Sequence, residues 1–288
     1  MARIPFTKLH GCGNDYIYLD AWEAPLPADL SAFARLVSNR HTGVGSDGLI
    51  VIRPAAPGSG ADMRMDMWNA DGSPSEMCGN GLRCAAKLAS DHRRVRGDAV
   101  RVATGAGVLA VDLLRVAGAV TGASVLMGRP RLAPAEVPVT ATGRGPAKFT
   151  LTVAKQKVAL VAVGMGNPHA VAFVDDPEQY PVTTVGPLIE VHTRFPRRTN
   201  VEFVARLQDE GGIPVLRQRT WERGAGETQA CGTGACAVTV AAILGNVIPG
   251  REAVVRLNGG DLRIIWPDDE AEIRMTGPAV TVFSGVWP

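Results

Sequence analysis

Glu76-Met77-Cys78-Gly79-Asn80-Gly81 and Gln229-Ala230-Cys231-Gly232-Thr233-Gly234 decide how this chain is read. Each sets a cysteine before a Gly-polar-Gly turn. Each turn opens an apolar, helix-like run, Leu82 to Ser90 in the first and Ala235 to Leu244 in the second. Cys231 follows Cys78 by 153 positions, and the same spacing holds well beyond the cysteines. It sets Asn167 on Asn14, each after a glycine, Asn200 on Asp47, Trp221 on Trp68, Glu222 on Asn69 and Gly234 on Gly81. Chance coincidence of common glycines does not supply matched Trp, Asn and Cys, so the pattern is an internal repeat.

The repeated unit combines several short strands with one strongly apolar helix. Alternation marks strands at Tyr16 to Leu19 and at Asp62 to Trp68, where Met63, Met65 and Met67 share a side. Asp29 is a plausible cap for a helix within Pro25 to Asn39, with Leu30, Phe33, Ala34 and Val37 on one face. A second short helix is expected around Pro187 to Val191. A helix apolar all round, such as Ala235 to Leu244, must be buried on all sides. The expected class is therefore α+β: two pseudo-symmetric lobes, each a curled mixed sheet or barrel around a central apolar helix. Composition shifts near Met127-Gly128-Arg129-Pro130, ahead of a Pro/Ala/Thr/Gly-rich stretch over 131–146. The boundary is set at about Leu126, and the expected lobes are residues 1–126 plus 276–288, carrying Cys78, and residues 127–275, carrying Cys231. The space between such lobes is a natural place for a ligand.

Bulk properties exclude several classes. With 288 residues, 46% hydrophobic, the chain can bury a large core. Lys and Arg are scattered and the net charge is +2, so neither nucleic acid nor an anionic membrane is an expected partner. The start shows no export signal, and the longest apolar run is too short to span a bilayer. Five cysteines in such a chain read as thiols in a reducing cytoplasmic setting, not as a disulfide frame.

A cysteine at a helix start has a specific use. Backbone N–H groups there lack helical partners and favour an anionic ligand group. The same electropositive end is expected to lower a thiol pKa. Two such lobes face to face would let one thiolate remove a proton next to a carboxylate while the opposite thiol returns one. That inverts a stereocentre. Helix-end donors aimed at the carboxylate would hold the enolate-like charge, and losing a donor of this kind costs about 3 kcal/mol.

The motifs Gly-Cys-Gly-Asn-Asp-Tyr at 11–16, Asn-Ala-Asp-Gly-Ser at 69–73 and Met-Cys-Gly-Asn-Gly-Leu-Arg-Cys at 77–84 belong together. Gly-Asn-Pro-His at 166–169 and Trp-Glu-Arg-Gly-Ala-Gly-Glu-Thr-Gln-Ala-Cys-Gly-Thr-Gly at 221–234 complete the set. The set closely resembles the diaminopimelate epimerases, cofactor-independent enzymes of lysine and peptidoglycan synthesis that interconvert LL- and meso-diaminopimelate. The resemblance implies the duplicated barrel-around-helix fold, no cofactor, no metal and a homodimer, with Phe283 at the contact. It implies Cys78 as proton donor and Cys231 as base from LL to meso, with the roles exchanged in reverse. Gly79-Asn80 and Gly232-Thr233 match the carboxylate cradle; Asn14, Asn69, Asn167 and Asn200 match the substrate-binding asparagines. Glu222 and Arg223 match the residues that recognise the distal amino acid end, and His169 with Glu222 matches a pair that tunes the thiols. Some members carry Gln where this chain has Gly48, so that contact is missing or replaced here.

Other cysteines have blander readings. Cys84 and Cys236 turn to other helix faces than their neighbours and read as core. Cys12 adjoins the Asn14 turn, but Met165 stands at its repeat position. Trp68 and Trp221 read as packing anchors, and His41 and His192 as surface residues. Three alternatives compete. A proline or hydroxyproline racemase would typically carry His at Asn80 and has no use for Arg223. A redox or metal-binding protein would use the same cysteines differently. The phenazine-biosynthesis-like branch replaces the thiol pair with a carboxylate.

Overall fold

The computed structural model describes residues 3–22, 25–142 and 145–288. Met1 and Ala2, at the start inspected for an export signal, lie outside the described residues, as do two positions of the 131–146 stretch. The chain divides into two compact units, Met1–Leu126 with Thr276–Pro288, and Met127–Met275.

In the first unit the order is β1 (Ile4–Gly11), β2 (Asn14–Asp20), α1 (Leu30–Ser38), β3 (Gly48–Pro54), β4 (Met63–Asn69), β5 (Pro74–Ser75), α2 (Gly79–Asp91), β6 (Ala99–Thr104), β7 (Gly107–Val116) and β8 (Ala119–Leu126). The second runs β9 (Lys148–Val153), β10 (Gln156–Gly164), β11 (Pro168–Phe173), α3 (Val182–Glu190), β12 (Asn200–Arg206), β13 (Val215–Glu222), β14 (Gly226–Thr228), α4 (Gly232–Leu244), β15 (Glu252–Leu257) and β16 (Gly260–Ile265). β17 (Arg274–Pro278) carries the chain back to the first unit, where β18 (Val280–Trp287) ends it.

Strand pairing repeats between the units. β1 has β18 and β2 as antiparallel neighbours, and β10 has β9 and β11. The next step is parallel in both, β2 to β3 and β11 to β12. Antiparallel pairs β3–β4 and β12–β13 follow, then a second parallel step, β4 to β6 and β13 to β15. Each mixed sheet curls round its own helix. α2 packs against β1, β2, β3, β6, β7 and β8, and α4 against β10, β11, β12, β13, β15 and β16. A second, shorter helix covers the outer face. Phe33, Ala34 and Val37 of α1 pack with Leu49 and Val51, and Val182, Val185 and Ile189 of α3 pack with Val201 and Phe203. Strands buried on both faces read as unbroken apolar runs, which is why Leu49-Ile50-Val51-Ile52 does not alternate. No described helix is long and apolar enough to cross a membrane.

Three expectations need correcting. Both central helices start three residues before their apolar runs, at Gly79 and Gly232, which makes the cysteines their N-cap residues. Glycine has poor interior helix propensity, so the glycines masked the first turns. α3 begins at Val182 and takes Pro187 into its interior instead of starting there. The repeat register is also not uniform. Tyr16 stands opposite Gly48 and His169 opposite Asn200, so the counterpart of Asn200 is Gly48, not Asp47. One residue is lost before α3 and regained between β12 and β13, so Trp221 still matches Trp68 at 153 positions while Asn200 matches Gly48 at 152.

Candidate active site

Each cysteine sits where its sheet delivers a strand end to a helix start. The first intrahelical bonds run from Leu82 N to Cys78 O and from Ala235 N to Cys231 O. The N–H groups of 79–81 and 232–234 therefore precede the helical ladder. Space is tight inside each first turn. A Cβ on Gly81 would lie 2.6 Å from Ile50 Cδ1, and one on Gly234 2.8 Å from Glu202 Oε1.

The Cys78 cluster lies within the first unit. Half-buried Cys78 donates from Sγ to Asn14 Oδ1 at 3.3 Å, and Asn80 Nδ2 donates to the same oxygen at 3.3 Å. Asn14 Nδ2 in turn donates to Asp47 Oδ2 at 2.7 Å, and Arg40 holds the other Asp47 oxygen at 3.0 Å. Tyr16 completes the cluster. Burial lifts its phenol well above the usual value, Cys78 lifts it further, and a hydrogen bond with Asn14 pulls it back. Asn69 ends β4, with its Nδ2 on Ser73 Oγ at 2.9 Å. Gly48 offers no room for a side chain: its Cβ would lie 2.2 Å from the Trp68 carbonyl oxygen.

The Cys231 cluster lies within the second unit and is more polar. Cys231 is 5% exposed, and its Sγ accepts from Gly234 N at 3.4 Å and lies 3.5 Å from Thr233 Oγ1. Asn167 Nδ2 donates to Thr233 Oγ1 at 3.4 Å, as Asn80 Nδ2 does to Asn14 across the equivalent span of 66 residues. His169 contacts Asn167 Oδ1 through Nε2 at 2.9 Å and Glu202 Oε1 through Nδ1 at 2.7 Å. Glu222 accepts from Thr228 Oγ1 at 2.5 Å. Asn200 donates to Pro168 O at 3.0 Å and accepts from Arg223 N at 2.9 Å, which ties the Glu222-Arg223 turn to β12. The Arg223 side chain is exposed and donates to Arg197 O.

The electrostatics overturn the expected low thiol pKa at Cys231. Burial pushes this thiol well above its usual value, and the Glu222 and Glu202 carboxylates push it the same way. The Thr233 hydroxyl and the Gly234 N–H oppose this and lose. A helix end stabilises a thiolate only as far as desolvation allows. Burial raises Glu222 too, against the pull of Thr228 and His169. Cys84, buried on another face of α2, is pushed up to about 11 by burial, as suits a core thiol.

His169, Glu202 and Cys231 bring ligand atoms within 4.8 Å of one another. Both ring nitrogens of His169 are already engaged by Glu202 and Asn167. Cys12 is buried in the β1–β2 turn at φ 53, followed by Gly13 at φ 78. Trp68 and Trp221 pack against the outer helices' clusters, Trp221 also donating to Glu190 Oε2 at 2.7 Å.

The structure thus gathers Asn14, Cys78 and Asn80 in one cluster, and Asn167, His169, Cys231 and Thr233 in the other. The sequence reading missed Tyr16, the Asp47–Arg40 pair and Glu202. The repeat could have exposed Tyr16, which falls on His169 at 153 positions.

The chain matches the family model described as diaminopimelate epimerase over residues 6–133 and 161–282. It is 46% identical over 290 residues to diaminopimelate epimerases of Bacillus cereus and Bacillus anthracis, covering 100% of this chain and 98% of each relative. Among solved structures, a PhzF-family phenazine biosynthesis protein of Bacillus anthracis matches with TM-score 0.70 at 14% identity, covering 100% of both chains. A hydroxyproline epimerase of Agrobacterium vitis matches with TM-score 0.66 at 15% identity, covering 99% of this chain and 93% of that one. These two likenesses show the fold alone. With a family model spanning most of its length and full-length relatives at 46% identity, the chain belongs to the diaminopimelate epimerase family.

Proposed function

We propose that this protein is an isomerase interconverting LL- and meso-2,6-diaminopimelate, with Cys78 and Cys231 as its acid–base pair and no cofactor. The observation that carries this reading is the repeated one. Each unit puts a cysteine at the N-cap of its central helix, with an asparagine bonded to that cysteine in the first unit and to Thr233, two residues on, in the second, in a chain of this family. From LL to meso, Cys231 as thiolate takes the α-proton and Cys78 as thiol returns one to the other face. In reverse the roles exchange. The N–H groups at 79–81 and 232–233 would hold the substrate α-carboxylate and the charge that grows on it as the proton leaves. Asn14, Asn69, Asn167 and Asn200 position the substrate, and Glu222 and Arg223 read its distal amino acid end. Arg suits that task because its fork binds a carboxylate with two parallel bonds. The raised Cys231 thiol fits the donor role, so in the other direction substrate binding must favour its ionisation.

The test is deuterium exchange at the α-carbon in D2O without added cofactor. Exchange is expected with both LL- and meso-diaminopimelate and not with L-proline or trans-4-hydroxy-L-proline. Absence of exchange with either diaminopimelate isomer would end this reading.

The same reading includes a cytoplasmic homodimer. The five cysteines are free thiols. Within β18, Val280, Val282, Phe283 and Val286 are exposed, Phe283 at 44% with its ring 5.9 Å from that of Phe6. An apolar row of this kind marks an interaction surface. Phe283→Asp is expected to convert a dimer to a monomer in sedimentation velocity. A monomeric unsubstituted protein at micromolar concentration would refute the assignment.

A further inference from the structure

The two units build the same frame and fill it differently around the cysteine. Strand pairing equates Tyr16 with His169 and Ile50 with Glu202. The close approach to the first helical turn confirms the second match: Gly81 faces Ile50, and Gly234 faces Glu202. On β4 the equivalent positions are Met65 and Met67, and on β13 they are Gln218 and Thr220. An apolar lining in the first unit thus becomes a polar one in the second. Glu202 is 0% exposed, as is His169. A fully buried carboxylate on a core strand is costly without a partner. Its Oε1 has one in His169, and its Oε2 has no hydrogen-bond partner.

We propose that Glu202 is a positioning residue that acts through His169 and sets the direction of a hydrogen-bond chain ending on Cys231. This rests on the reading of Cys231 as an acid–base group. An ionised carboxylate only accepts, so the ring must present Nδ1–H to Glu202 Oε1. The other ring neighbour is also an oxygen, Asn167 Oδ1, and takes Nε2–H. With its carbonyl so occupied, Asn167 donates from Nδ2 to Thr233 Oγ1. The Thr233 hydroxyl then turns its own hydrogen on Cys231 Sγ, 3.5 Å away. Either atom of that last pair could donate; the acceptor-only group at the far end decides that the hydroxyl does. A thiolate at Cys231 is thereby met by two donors, Thr233 Oγ1 and Gly234 N. The other charged group facing the thiol is Glu222. The first unit has no such chain, since Ile50 stands where Glu202 would.

Glu202→Gln keeps shape and burial but gives the terminus a donor, so the chain can reverse. In 15N spectra of the unsubstituted protein, both His169 ring nitrogens are expected to carry hydrogen, since each faces an oxygen. In Glu202→Gln one of them is expected to shift to the unprotonated position. kcat is expected to fall about 10- to 100-fold with KM within about threefold, and Glu202→Asp to recover part of the loss. Glu202→Gln and Thr233→Val are expected to be non-additive in kcat, because each breaks the same chain. A neutral ring in the unsubstituted protein overturns the proposal, as do additive losses in the double variant. The spectra need no turnover. A protein with the expected ring signals but no α-proton exchange would reject the epimerase reading while leaving the direction of the hydrogen-bond chain intact.

Discussion

Cys231→Ala and Cys78→Ala are each expected to lose epimerisation of diaminopimelate by about 10³-fold or more, near the upper part of the range for a positioned acid–base group. The two substitutions differ in what they do to the fold. Cys78 makes no side-chain cap bond to its helix, so its removal costs no cap and only the bond to Asn14. Cys231 accepts from Gly234 N as a cap, so its loss should cost up to about 1 kcal/mol, the lower part of the range for cap removal. Cys231→Ala also removes the thiol whose hydrogen bond pulls Glu222 down, so the carboxyl already raised by burial should rise further. Chemical denaturation and circular dichroism establish the fold, and a coupled or chiral assay measures turnover. A variant of either cysteine with full activity would sink the two-base scheme. Loss of activity together with loss of fold in Cys78→Ala would contradict the cap geometry instead.

What the sequence disclosed, and what it hid, follows from how each signal is encoded. The duplication was legible because cysteine, tryptophan and asparagine are uncommon enough for repeated spacing to carry information. The frame was legible because strands buried on both faces leave long apolar runs, as at Leu49 to Ile52. The first helical turns were read as lying outside the helices, since Gly79 and Gly232 argue locally against helix while the fold uses their lack of bulk. The register slip before α3 was invisible for a similar reason. A missing residue in a loop leaves no mark until Gly48 and Asn200 are seen to pair alike with the preceding strand. Glu202 left one trace, a charge inside Asn-Val-Glu-Phe-Val, a strand otherwise fit for the core. Reading it as buried required knowing that helices cover both faces of that strand. The Cys231 pKa was misjudged because a helix end is visible in sequence, whereas desolvation depends on neighbours far along the chain.

Arg83 gives the second large effect, and it too was hidden: a lone Arg on an apolar helix is normally read as a solvated or snorkelling side chain. The structure buries it fully. Its Nη2 donates to Asn80 Oδ1 at 2.8 Å, Nη1 to Gly79 O at 3.4 Å and Nε to Pro278 O at 3.3 Å. One guanidinium therefore ties the first turn of α2 to the segment that returns to the first unit at its end. It also fixes which way Asn80 points, leaving Nδ2 for Asn14 and so for the cluster around Cys78. Two effects oppose each other in Arg83→Met. Removing a buried cation relieves a desolvation cost, but the acceptors left behind lose charge-assisted bonds, about 1.5–3 kcal/mol for such a bond. With three acceptors affected, the loss should win by about 2–3 kcal/mol. That should appear as a lower urea midpoint at an unchanged m-value. Turnover should fall about 10- to 100-fold in the folded variant, since misplacing a group at the reacting centre by an ångström is enough for this. Arg83→Lys separates the parts. It keeps the charge but not the fork, so it should recover stability better than it recovers kcat. Equal recovery of both would mean that Arg83 holds the fold alone and leaves Asn80 to orient itself.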